Sequence, residues 1–323
     1  MTATATVVVP PKHRRELDAL RRFAPVLVLV GLVIGLTLKR SDFMSIGQQQ
    51  QLVESAAPLL VFATGMTVVV MCGGIDLSIA AFAGFASLWF ARFVPHLGIG
   101  ALVAVMLLGA AIGTVQGVIH VKAQIPSFVV TLGGLALWAG FALLQDKPSI
   151  LIASNSSVLA LDGRLVGVPR LAILAGSLAL VTGLLMWATP VGRWVRAVGS
   201  NETAAYLSGV PVVATRIAAF AFCTMCAALA GCMVAIDQTN GSPGTGSTQL
   251  LPTVAAVVVG GTAITGGVGG VGRTVLGVLI VKVLGTGLSI IGIGQKWENI
   301  LYGALVIVAA ALTIDRSKLT VVK

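Results

Sequence analysis

Val69-Val70-Met71-Cys72-Gly73-Gly74-Ile75-Asp76-Leu77-Ser78 sets a double glycine, an acid and a hydroxyl at the end of an apolar run. A Gly-Gly step breaks the helix that precedes it. An ionisable residue at membrane depth is costly unless it is buried in protein, paired or hydrated. Together these features predict a broken helix or tight re-entry facing a cavity, the device by which transport proteins place polar groups inside a bilayer. Asp76 and Ser78 can also simply cap the next helix. The two readings are compatible.

The surroundings of that stretch make the bilayer reading necessary. Of 323 residues, 57% are hydrophobic and only 10% are charged, and the mean hydropathy is +1.00. No soluble domain has this composition, so the chain is an integral membrane protein. Its 39 glycines and low aromatic content fit closely packed helices, not a barrel with aromatic girdles. The expected fold is all-α, with about ten transmembrane helices over 23–38, 51–72, 77–94, 99–118, 127–144, 171–188, 213–236, 250–265, 272–292 and 297–314. The segment 250–265 is short and flanked by glycine.

The net charge of +10 bears first on orientation, not on nucleic acid. The basic segment 1–22, with Lys12, Arg14, Arg15, Arg21 and Arg22, is expected inside. Alternation of ten spans then places thirteen Lys and Arg inside and seven outside, with Lys282 within a span. Both ends, 1–22 and 316–323, are therefore expected in the cytoplasm of a multi-pass inner-membrane protein, with 23–315 as the membrane domain. The first apolar stretch runs into Lys39-Arg40 with no small-residue cleavage pattern, so it is expected to stay as a span rather than act as a signal peptide.

Several features read as packing. Gly109, Gly113 and Gly117 recur on one helix face, as do Gly31 and Gly35, and such faces let backbones approach closely. Cys72, Cys223, Cys226 and Cys232 all lie in or beside apolar spans; Cys223-x-x-Cys226 has no nearby histidine, so apolar packing is favoured over redox or metal work. The sequons at Asn155 and Asn201 are short enough to arise by chance. His13, His96 and His120 are scattered, and nothing resembles an enzymatic cluster.

Two further regions carry mechanism. Between spans, 192–211 holds a short element that Ser200 or Asn201 can cap, with Glu202 in its first turn, Gly209 as a left-handed stop and Pro211 to prevent continuation. It reads as a rigid knob for another protein, or as an interfacial helix held on anionic lipid by Arg193 and Arg196. The run Gly260-Gly261-Thr262-Ala263-Ile264-Thr265-Gly266-Gly267-Val268-Gly269-Gly270 lacks the Gly-Lys-Ser/Thr of a phosphate loop, so an inter-helix turn or unwound segment is expected. Its Val-Val-Val-Gly-Gly echoes Val-Val-Met-Cys-Gly-Gly at the double glycine, a hint of two related halves.

The chain resembles the membrane permease subunit of bacterial ABC importers for ribose and related monosaccharides, from about residue 41 to 315. The resemblance rests on Gly65-Met66-Thr67 with Gly73–Ser78, on Pro126–Gly133, on Gly199–Ala204 with Leu207–Val210, and on Ala255–Thr262 with Gly266-Gly267. It implies the many-helix fold of the cobalamin importer and a second permease copy or paralogue. It also implies a cytoplasmic ATP-binding subunit and a periplasmic or lipid-anchored sugar-binding protein. The chain has no Gly-x4-Gly-Lys-Ser/Thr, so ATP hydrolysis is expected in the partner, with no cofactor and no catalytic or metal site in this chain. The expected pathway or helix-break residues are Gly73, Gly74, Asp76, Ser78, Gly260, Gly261, Thr262 and Thr286. The expected ATPase-coupling residues are Gly199, Asn201, Glu202, Leu207 and Gly209.

The chain departs from that family at Glu54, at Lys282 and at Gly285-Thr286-Gly287. Glu54 and Lys282 can pair inside the membrane, or Glu54 can meet water near the outer end. A sugar path needs scattered neutral polar groups, which the Ser, Thr, Asn and Gln near helix breaks supply. The alternatives are an ABC permease for a nucleoside or signalling furanose, and an ion-coupled secondary sugar carrier. A carrier would need a relay, for which only Asp76, Glu54 and Lys282 are candidates, and it would not need a docking helix.

Overall fold

The computed structural model describes residues 12–145, 147–153, 156–292 and 294–313. The tail 316–323, the first eleven residues of the basic N-terminal segment and Asn155 lie outside them. The described chain is helical with two tiny hairpin-like ladders. Its long helices are α1 (Lys12–Lys39), α2 (Ile46–Met71), α3 (Ile79–Leu97), α4 (Gly100–Lys122), α5 (Ser127–Leu143), α6 (Arg170–Ala188), α9 (Val212–Asp237), α10 (Leu250–Val259), α11 (Val271–Ile290) and α12 (Gln295–Thr313). Between α6 and α9 lie α7 (Pro190–Ser200) and α8 (Glu202–Leu207). Each of the ten expected spans overlaps one of these ten helices, though only in part at 250–265. By length and hydropathy α2, α4, α6, α9 and α11 are each able to cross a membrane unaided.

Helix α9 sits at the centre and owes its place to small side chains. Cys223, Cys226, Ala227, Ala228, Ala230 and Cys232 are fully buried or nearly so, and the four cysteines are free thiols in apolar surroundings. The glycines of α4 fall on this surface. A Cβ on Gly109 would lie 2.8 Å from the Thr224 carbonyl oxygen, and one on Gly117 would lie 2.9 Å from Ile217 Cα. At Gly113 a Cβ would overlap the Phe220 carbonyl oxygen. The expected glycine face of α1 behaves differently: Gly31 and Gly35 have nothing within 4 Å among the described residues. The same Gly-x3-Gly spacing therefore marks an internal seam in α4 and an open face in α1. Gly113→Val is expected to destabilise the bundle by about 1–3 kcal/mol through overpacking, whereas Gly31→Val leaves thermal unfolding near the parent value. A detergent-solution melting curve of each variant checks this.

Two crossings are not continuous helices. After α2 the chain from Gly74 to Ser78 is non-helical and climbs beside α5. Ile75 N–H donates to Ser127 Oγ at 3.2 Å, and Thr131 Oγ1 donates to the Ile75 carbonyl at 3.1 Å. Ser78 Cβ is 3.1 Å from where a Cβ on Gly134 would stand. Ser127 to Gly134 is about 10 Å of helical rise, so α3 begins well inside the bundle.

The eighth crossing is the converse. The expected span 250–265 is corrected here: α10 ends at Val259, and ten residues reach only about 15 Å. The other half is irregular backbone laid down the side of α3. Ser242 N–H donates to Ser87 Oγ at 3.1 Å, and Gly246 reaches Ala80 and Ala83. At Gly84 a Cβ would overlap the Pro243 carbonyl. Non-helical backbone is tolerated at membrane depth only where protein covers it, and α3 and α9 provide that cover. The glycines at 84 and 231 make the approach possible, since at Gly231 a Cβ would overlap the Ala83 carbonyl.

Candidate functional site

Three helix ends use the same stop. At the end of α2, Gly73 has φ +82°, its N–H bonds to Val70 O at 2.9 Å, and Gly74 N–H reaches back to Val69 O at 3.0 Å. At the end of α10, Gly261 has φ +89°, with Gly261 N–H to Val258 O at 2.9 Å and Thr262 N–H to Val257 O at 3.1 Å. At the end of α8, Gly209 has φ +78°, with Gly209 N–H to Tyr206 O at 3.0 Å and Val210 N–H to Ala205 O at 3.1 Å. Each is a paired back-bond closed by a left-handed glycine, which satisfies orphan carbonyls at the helix terminus. The sequence echo between the two double glycines is thus out of register by one. Gly73 corresponds to Gly261, and Gly74 to Thr262, while Gly260 remains in right-handed conformation.

Above the first stop lies a buried polar knot. Asp76 and Ser78 are both fully buried. Asp76 Oδ1 accepts from Ser78 N–H at 2.9 Å and from Ser78 Oγ at 2.6 Å. Asp76 Oδ2 takes a longer contact from Thr224 Oγ1, 3.4 Å. With its one proton given to Asp76, Ser78 Oγ accepts from Gln116 Nε2 at 3.1 Å. The expectation that Ser78 caps α3 with its side chain is corrected: it makes no side-chain cap bond, and Asp76 closes the turn instead. Gln116, Thr224, Ser127 and Thr131 were not foreseen. Gln116 had a usable signal, being the one amide on the glycine face of α4.

The glycine run folds back on this region. Gly266 and Gly267 have φ +86° and +76°, and Gly267 N–H donates to Met71 O at 2.9 Å. Thr262 is fully buried and its hydroxyl has no partner among the described residues; a Cβ on Gly269 would lie 2.6 Å from it. Higher in the bundle, the hydroxyls of Thr67 and Thr274 meet at 2.6 Å and tie α2 to α11.

The segment 192–211 is more helical than expected, because Pro190 starts α7 immediately after α6 and Gly192, Val195 and Val198 bury one face. Asn201 is the cap of α8, its Oδ1 accepting from Ala204 N–H at 3.0 Å. Glu202 pairs with Arg216 of α9 at 2.8 Å, which orients the knob more than it stabilises it. Tyr206 and Leu207 stand out from the surface at 71% and 79% exposure.

Gly199 is where the knob meets the membrane helices. A Cβ there would overlap the Met71 carbonyl oxygen and lie 2.5 Å from Gly267 N. Gly73 Cα lies 2.9 Å from where a Cβ on Gly266 would stand, and Ser200 Cα is equally close to one on Gly267. Backbone therefore touches backbone where α7, the α2 stop and the glycine run converge. Thr286 is remote from this junction: fifteen residues into α11, it lies about 22 Å away along the helix. Glu54 and Lys282 do not pair. Glu54 is 3.7 Å from Arg164 and shares its neighbourhood with Asp162 and Asp237, whereas Lys282 feels Glu298 and Asp237.

Residues 48–310 match the protein family described as branched-chain amino acid transport system / permease component. The ribose import permease protein RbsC of Escherichia coli K12 is 31% identical over 300 residues, covering 90% of this chain and 92% of that one. RbsC of Bacillus subtilis is 29% identical, covering 93% and 94%, and the probable ABC transporter permease protein YphD of Escherichia coli K12 is 33% identical, covering 89% and 88%. No solved structure matches. With the family matched over most of its length and relatives of this identity end to end, the chain belongs to the membrane permeases of ABC importers.

Proposed function

We propose that this chain is the channel-forming subunit of an ATP-driven importer for a neutral monosaccharide, a ribose-like pentose or related sugar. In this reading the membrane domain is 23–315 and lies in the bacterial inner membrane with both termini cytoplasmic. The α7–α8 end faces the cytoplasm and receives a separate ATP-binding subunit on Tyr206 and Leu207. A second permease copy or paralogue completes the channel, and a sugar-binding protein delivers cargo to the opposite end.

The observation that carries the coupling role is the contact of Gly199 with both the α2 stop and the glycine run. Displacement of α7 has no flexible side chain to dissipate in. It acts directly on Met71 and Gly267, and through them on the non-helical segment that holds Asp76. The cargo reading is supported by the names of the relatives and by the hydroxyls and amides that make up most of the polar interior, where the one acid of the knot, Asp76, is taken up by Ser78 and Thr224. A branched-chain amino acid, named in the family description, carries an ammonium and a carboxylate, which call for charged or strongly polar counterparts.

Purify the chain with the ATP-binding subunit that accompanies it, reconstitute both with the binding protein, and compare hydrolysis driven by D-ribose, D-xylose and L-leucine. Stimulation and uptake of a sugar are expected. Stimulation by leucine alone would overturn the cargo reading. Within this system Gly209→Val is informative, because a Cβ there has open space and only the positive φ is violated. It should cost about 1 kcal/mol or more locally and reduce ATPase association or its stimulation, with the permease still inserted. Co-purification yield and sugar-stimulated hydrolysis read this out.

A further inference from the structure

A cavity of about 320 Å³ opens at the end of the bundle opposite α7–α8, between α2, α11 and the turn after α1. Gln48, Gln51 and Ser55 line it from α2, and Thr286 and Ser289 from α11. The spacings place each set on one helical face. Leu52 and Ile290 give it apolar surface.

Ser55 Oγ donates to Leu52 O at 3.0 Å, but the other four polar groups are not spent on the described protein. The side-chain amides of Gln48 and Gln51 and the hydroxyls of Thr286 and Ser289 have no hydrogen-bond partner among the described residues. Thr286 is unusual in this. Thr37, Thr64, Thr182, Thr215 and Thr253 each donate to the carbonyl four residues back, but Thr286 does not. Free donors and acceptors at the mouth of an apolar bundle must meet water or solute.

The charge of the wall is balanced. Arg40 is the charged residue of the lining, and its Nε bonds Asp42 Oδ1 at 2.7 Å. No uncompensated charge selects an anion or a cation. Amides and hydroxyls that can each donate and accept, set beside apolar surface, match a solute with several hydroxyls on a C–H framework. The volume lies at the small end of ligand pockets and suits one monosaccharide with a little water.

We propose that this cavity is an entry site where a neutral polyhydroxylated solute is first held, with Gln48, Gln51, Thr286 and Ser289 as its hydrogen-bonding groups. The proposal rests on the reading of the chain as a sugar permease and adds where the sugar binds.

The test uses the full chain in lipid nanodiscs carrying Ser289→Cys, with Thr286→Cys as the second variant. The four native cysteines are buried, so background labelling is low. A hydrophilic maleimide is applied with and without the sugar that the reconstituted importer accumulates, D-ribose first, and with L-leucine as control. The thiol should label readily. Occupancy slows labelling by one plus the ratio of sugar concentration to Kd, about fourfold at three times Kd. Adding Gln51→Leu should weaken binding about tenfold, which at the same sugar concentration leaves only about 1.3-fold protection. Full-rate labelling in the presence of a sugar that the importer demonstrably transports would overturn the entry site alone. Thiols at both positions that never label would overturn it too, because the cavity would then be closed to water. Protection by leucine and not by sugar would overturn both the polyol assignment and the sugar reading.

Discussion

Gly199→Val should leave a permease that inserts and binds its ATPase yet loses ATP-driven uptake by about tenfold or more. The side chain has nowhere to go. Its Cβ meets the Met71 carbonyl oxygen and Gly267 N, both backbone atoms of stops that are themselves hydrogen-bonded. Relief requires α7 to retreat, which breaks the contact between knob and membrane helices while Tyr206 and Leu207 stay exposed for docking. Hydrolysis should continue without transport. Uptake and hydrolysis measured on one proteoliposome preparation give the coupling ratio. An unchanged ratio in Gly199→Val would show that force does not pass through this junction.

The second large effect is expected at Asp76, where two substitutions should part company. Asp76→Ala strands Ser78 N–H in a fully buried site, at about 1–3 kcal/mol, and takes from Ser78 Oγ its short acceptor, leaving that hydroxyl only the longer contacts to Gln116. Folded yield and uptake should both collapse. Asp76→Asn keeps one oxygen for Ser78 and turns its amide toward Thr224 Oγ1, so most transport should survive. Asn cannot titrate. If Asn folds at wild-type yield but abolishes uptake, the charge itself is needed, and Asp76 is more than the clasp of a turn.

How much of this was readable in the sequence depends on whether the cue was local. The left-handed stops at Gly73, Gly261 and Gly209 follow from glycine chemistry, and Asn201 from cap chemistry. The α4 seam was legible because Gly109, Gly113 and Gly117 repeat. Gly31 and Gly35 show the limit of that cue, since a pattern cannot say whether a neighbour is present. The irregular half of the eighth crossing was missed for a related reason. Ser242–Gln249 reads as a polar loop, and only α3 lying beside it makes that backbone acceptable inside the bundle. For Glu54 charge alone left Lys282 and water both open, and its partner is instead Arg164, brought to it by the 164–169 hairpin. The convergence of Gly199, Met71 and Gly267 joins three distant stretches, and no single-sequence signal links them.

The central claim is that ATP hydrolysis by a separate subunit drives solute through this chain. Reconstitute the chain alone in liposomes with a sodium or proton gradient, and in parallel with its ATPase, binding protein and ATP, and follow labelled sugar. Concentrative uptake is expected only in the second preparation. Robust accumulation by the chain alone on an ion gradient would contradict the account and make it a secondary carrier.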